Sequence, residues 1–87
     1  MMLTDCTNKE ITIQRGGYLY DFSACIEPYA EEFNKFEFTF SDGYENCLNL
    51  LRADKSSFKI ETTNTGQFTV IAKSLNGKIA FCVVNVN

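Results

Sequence analysis

Tyr18-Leu19-Tyr20-Asp21-Phe22-Ser23-Ala24-Cys25-Ile26-Glu27-Pro28 alternates along its whole length. Tyr18, Tyr20, Phe22, Ala24 and Ile26 occupy one phase; Leu19, Asp21, Ser23, Cys25 and Glu27 occupy the other. Successive side chains of a strand point to opposite faces, so a period of two predicts a strand with one apolar face. Pro28 ends it, because proline has no N–H to give to a ladder. Upstream, Ile11 and Ile13 alternate with Thr12 and Gln14 until Gly16-Gly17 breaks the run. Downstream, Phe36, Phe38 and Phe40 alternate with Glu37 and Thr39, and Ser41-Asp42-Gly43 is a turn signal. Phe58 and Ile60 alternate with Lys59 and Glu61; Phe68 and Val70 open a strand running to about Lys73. Asn76-Gly77 is the strongest short hairpin signal, and the last strand runs from Lys78 to Val86.

Two segments are less regular. Tyr29 to Lys35 could form a helical turn, too short to stand alone as a helix. Cys47 to Arg52 alternates imperfectly, and its neighbours favour a strand. The sum is about seven short strands with frequent turns: an all-β, two-sheet β-sandwich. An apolar strand face is stable only against another layer, and two sheets about 10 Å apart cover both inner faces. Phe22, Phe36, Phe38, Phe58, Phe68 and Phe81 are the expected bulk of the core. Each buried Phe contributes roughly 1.5–3 kcal/mol relative to exposure.

Length and charge narrow the function. The chain has 87 residues, room for one domain, with residues 1–9 expected as an N-terminal extension. Eight basic residues face eleven acidic ones, for a net charge of −3. That balance argues against nucleic-acid binding, which needs a basic stripe to displace counterions from phosphates. There is no His, which removes most acid-base, triad and zinc chemistry. Glu31-Glu32 are adjacent and read as a solvated surface rather than a catalytic carboxylate pair. Asp42-Gly43 with Glu45 lacks the spacing of a calcium loop. Gly16-Gly17 is a turn, with no helix or Lys-Ser/Thr to make a phosphate cradle. No catalytic, cofactor-binding or metal-ligating residue is expected, and the chain is not expected to be an enzyme.

Cys6, Cys25, Cys47 and Cys82 are spaced without a C-x-x-C pair, so a zinc knuckle is not expected. The plainer reading is four reduced thiols packed as small hydrophobes; two disulfides are the alternative. The N-terminus lacks the apolar segment of a secretory signal, and Ile79 to Val84 is far shorter than the roughly 20 residues a membrane helix needs. The expectation is folding in a reducing cytoplasm.

The order of these pieces resembles a bacterial immunoglobulin-like domain of group 2. That module is repeated in intimin- and invasin-type adhesins and is also attached to phage virion proteins. The pieces are Ile11-Thr12-Ile13, then Gly16-Gly17, then Phe22-Ser23-Ala24-Cys25-Ile26-Glu27-Pro28. Phe36-Glu37-Phe38 with Ser41-Asp42 follows, then Gly66-Gln67-Phe68-Thr69-Val70-Ile71-Ala72, then Gly77 through Ala80, Cys82, Val84 and Val86. Phe38 stands where that family usually has Trp. The longer segment from Gly43 to Ser57 and the four cysteines depart from its pattern. The resemblance implies an immunoglobulin-like fold and a final strand facing inward at Ala80, Cys82, Val84 and Val86. Phe81 and Val83 would then face out, leaving two readings: a bulge that shifts the phase, which is the plainer one, or a partner surface.

Eight Phe and four Tyr exceed what one small core hides. Tyr18, Tyr20, Tyr29, Phe33 and Tyr44 are expected at least partly outside it, as rim or interface; with Phe81 they form the candidate interface. A free-standing module made in the cytoplasm points to a phage virion auxiliary, a capsid decoration protein in the virion. Its expected partners are a capsid protein or copies of itself, docked through sheet edges and aromatic patches. No nucleic acid or membrane partner and no cofactor is expected. The alternative is an extracellular, cell-surface adhesion domain that binds carbohydrate, with weak glycan affinity, or a receptor.

Overall fold

The computed structural model describes residues 2–3, 7–26 and 28–87, and side chains from residue 7 onward. The alternating segments form eight strands: β1 (Met2–Leu3), β2 (Lys9–Ile13), β3 (Leu19–Cys25), β4 (Phe36–Phe40), β5 (Leu48–Ala53), β6 (Ser57–Thr62), β7 (Gly66–Ser74) and β8 (Ile79–Val86). The first sheet has the order β1-β3-β6-β5 and the second β2-β8-β7-β4. Neighbours are antiparallel except β2 and β8, which run parallel. Strands adjacent in space are thus mostly not adjacent in sequence. The first, third, sixth and fifth strands face the second, eighth, seventh and fourth, which is the strand order of an immunoglobulin-like sandwich.

Hydrophobic phase positions the layers. Phe22 and Ala24 of β3, Phe58 and Ile60 of β6, Phe68, Val70 and Ala72 of β7, and Ala80, Cys82, Val84 and Val86 of β8 are buried between the sheets. Phe58 is the hub. Its ring stacks on Phe22 at 5.0 Å between centroids and meets Phe38 at 5.0 Å and Phe40 at 5.2 Å edge-on. Edge-to-face and offset pairs of this kind add about 0.5–1.5 kcal/mol each beyond area burial.

The connections follow their turn residues. The β7–β8 hairpin turns at Asn76-Gly77: Gly77 takes φ 85°, and its N–H donates to the Ser74 carbonyl at 3.0 Å. Ser74 and Lys78 close the loop, with the Ser74 N–H bonding the Lys78 carbonyl at 2.9 Å. Tyr29 to Lys35 contains a single 3-10 turn, Glu31–Phe33. The Asn34 Oδ1 accepts the Ile26 N–H at 2.8 Å and ties this connection to the end of β3.

Several expectations change. Residues 1–9 are not simply an extension: Met2–Leu3 pairs with β3, and β2 opens at Lys9. The Gly43 to Ser57 segment holds a second 3-10 turn, Tyr44–Asn46, and then β5. β5 is an edge strand whose register shifts between Leu50 and Arg52, so only Leu48 is buried. Phe81 leaves the predicted core. β8 pairs with β7 without a break from Lys73↔Ile79 to Gly66↔Val86, so no bulge turns Phe81 inward. The cysteines are not four equivalent thiols. Cys82 is disulfide-bonded, Cys25 and Cys47 are free, and Cys6 lies outside the described residues, as does Glu27.

Candidate functional site

Unbroken pairing through β4, β7, β8 and β2 aligns their outward side chains into rows. Glu37, Lys73 and Ile79 make the first row; Thr39, Ile71 and Phe81 the second. Thr69, Val83 and Glu10 make the third, and Gln67, Asn85 and Thr12 the fourth. The middle of this face is apolar. Ile71 is 40% exposed, Phe81 41% and Ile79 60%, with Val83 half-buried beside them. The fourth row is polar and cross-linked: Gln67 Nε2 donates to Asn85 Oδ1 at 2.9 Å, and Asn85 Nδ2 donates to Glu10 Oε2. Asn8 extends the edge past β2. It adopts φ 56°, which Asn tolerates, donates its N–H to the Phe81 carbonyl at 2.7 Å and accepts the Phe81 N–H on Oδ1 at 3.1 Å. The strand segment that carries Phe81 is therefore held on both sides.

The outer face of the other sheet has the opposite character. Its rows are Leu19, Glu61 and Asn49, then Asp21, Lys59 and Arg52. Asp21 lies 3.9 Å from Arg52 and 4.0 Å from Lys59, and Arg52 also reaches Asp54 at 3.0 Å. Such exposed pairs contribute little stability, but they keep this face wet. One outer face thus carries a charged network with Leu19 57% exposed beside it, and the other has an apolar middle between Glu37, Lys73 and Glu10.

The six predicted interface residues do not form one patch. Phe81 lies on the apolar face. Tyr18 is exposed in the β2–β3 loop, at the far end of the sandwich from Tyr29 and Phe33, which are exposed in the β3–β4 connection. Tyr20 and Tyr44 belong to the core rim. The Tyr20 hydroxyl accepts the Gln14 N–H at 3.1 Å, and its ring packs against the core. Tyr44 stacks on Phe40 at 4.9 Å. Val83 was read as facing out beside Phe81, but Ile71 and Ile79 were not singled out; the apolar outer phase of the last two strands was the signal that could have found them. Lys73 and Glu10 acquire a role only through their position at the edges of that patch.

Chemical groups elsewhere are sparse. Burial pushes the Cys47 thiol above its ordinary value, so it stays protonated and unreactive at neutral pH. Among the described residues no three His, Cys, Asp or Glu side chains gather as a metal site, and no helix is long and apolar enough to cross a membrane.

No family model matches the chain, and no curated protein matches it. Among solved structures, the first immunoglobulin domain of mouse SynCAM 2 is similar, with 15% identity and a TM-score of 0.47 over 92% of this chain and 91% of that one. The fold assignment rests on the strand order itself.

Proposed function

We propose that this chain is a non-enzymatic binding module, a virion auxiliary protein of the group 2 immunoglobulin-like kind that decorates a capsid. The observation that carries the reading is the apolar middle of one outer face, where Ile71, Ile79, Phe81 and Val83 gather between Glu37, Lys73 and Glu10, while an ion-pair network crosses the other face. An apolar outer face rimmed by polar groups is the signature of a docking surface. The rigid ladder beneath it keeps the face preorganised, which lowers the ordering cost of association. The Cys82 disulfide weighs the other way, since this reading expects reduced thiols and folding in a reducing cytoplasm.

The disulfide favours a second reading, an adhesion domain of a surface or secreted protein that binds a receptor or carbohydrate. Gradient-purified particles of the virus that encodes the chain separate the two. The virion reading expects the wild-type chain to band with particles and Phe81→Glu to be lost from the band. A chain that stays at the top of the gradient beside intact particles overturns it.

A further inference from the structure

We infer that the occupant of the apolar face is a second copy of this chain, stacked on it about a two-fold axis through Phe81. The inference rests on the docking-face reading above and names its partner.

The geometry follows from register. Lys73 lies on β7 beside Ile79; Glu10 lies on β2 beside Val83. Ile79 and Val83 are four residues apart on β8, about 14 Å at strand rise, and Phe81 is midway between them. Lys73 and Glu10 therefore flank β8 on opposite sides, at equal distances from Phe81, and Phe81 sits at the midpoint of the diagonal joining them. Lys73 is the basic side chain of this face nearest Phe81, with Lys35 one row further out beside Leu75, and the Asn85 hydrogen bond holds the Glu10 carboxylate onto the same face.

That arrangement is self-complementary. A two-fold axis lying between two stacked faces, through Phe81 and perpendicular to the diagonal, sets Phe81 on Phe81 of the second copy. The same rotation brings Lys73 over Glu10 of the second copy, twice, and Ile71 over Val83. Glu37 falls near the Thr12–Asn85 corner, about one strand spacing from Glu10 of the second copy, a like-charge contact that offsets part of the gain from Lys73. An isologous interface requires this kind of patch, in which each residue finds its complement on an identical surface. Strands of the two copies cross steeply, as in orthogonal sheet packing.

Size sets the strength. Four strands at about 4.8 Å and eight residues along β8 make a face roughly 20 by 24 Å. With side-chain relief this approaches, without exceeding, the ~800 Å2 per partner of a standard interface. The dimer is therefore concentration-dependent and not obligate.

Sedimentation equilibrium of the full chain over a concentration series tests this. Wild type is expected to dimerise reversibly, with Phe81→Glu weakening association at least tenfold. Ile79→Asp, at a more exposed position and facing Glu10 of the second copy, serves if Phe81→Glu does not fold. Lys73→Glu and Glu10→Lys are each expected to weaken the dimer about five- to tenfold. The double variant, which exchanges the charges, is expected to return to within about twofold of wild type. A dimer weakened by Leu51→Glu on the β5 edge and indifferent to Phe81→Glu overturns the inference. So does a double variant no tighter than its singles. A chain monomeric at every concentration overturns the second copy alone if its binding to particles still depends on Phe81; if that binding ignores Phe81, the docking-face reading falls too.

Discussion

Thr62 and Gly66 bracket the β6–β7 turn, and each is under a constraint the surrounding layers impose. The Thr62 side chain is fully buried, and its Oγ1 has no hydrogen-bond partner among the described residues. A buried hydroxyl that has lost water without gaining a partner costs roughly 1–3 kcal/mol, whereas a methyl of the same shape does not. Thr62→Val is therefore expected to raise stability by about 1 kcal/mol, seen as a higher urea midpoint at unchanged slope. Gly66 faces the opposite constraint. A Cβ there would stand 3.2 Å from the Cβ and 3.5 Å from the Sγ of Cys47. Cys47 is buried under the end of β7 and has little room to retreat. Gly66→Ala is expected to cost about 1–3 kcal/mol through overpacking, measured in the same titration.

At the scale of elements, β5 and β8 show how the same apolar residues lead to different outcomes. β8 is a central strand, paired on both sides by β7 and β2 and shielded at its edges. Its outward residues can therefore be apolar without offering free backbone groups. β5 is an edge strand, and its register shift leaves Leu51 51% exposed. Bulges twist an edge away from foreign strands, and a charge there does the same more strongly. Leu51→Lys is expected to leave stability within about 0.5 kcal/mol of wild type and to slow aggregation on heating. Light scattering beside a urea titration checks both halves of that statement.

At the scale of the molecule, the Phe58-centred ring cluster ties the two layers together, and the Cys82 disulfide constrains the chain further. Removing a native disulfide from a small domain costs about 2–5 kcal/mol. Reductant is therefore expected to lower the unfolding midpoint. Alkylation of the unreduced, unfolded chain is expected to label Cys25 and Cys47 and to spare Cys82. Labelling of Cys82 without reductant would remove the bond from this account.

Period-two patterning was enough to determine the class of this protein from its sequence. Alternation in Tyr18–Ile26, Phe36–Phe40, Phe58–Glu61 and the last strand specifies extended segments with one apolar side, and such segments must pair into two layers. The inward phase of Ala80, Cys82, Val84 and Val86 was legible for the same reason. That Tyr18, Tyr20, Tyr29, Phe33 and Tyr44 stay at least partly outside the core was legible as well; that they do not gather into one patch was not. Tyr20 and Tyr44 sit in polar surroundings along the chain, yet the Gln14 N–H and the Phe40 ring draw them onto the core rim. The burial of Thr62 also depends on neighbours distant in sequence. Above all, the apolar face exists only because β8 lies between β7 and β2, which joins Ile71, Ile79, Phe81 and Val83 and sets Lys73 and Glu10 at opposite corners. Alternation along a strand is a local property of the backbone; adjacency across strands is decided by the packing of the whole chain.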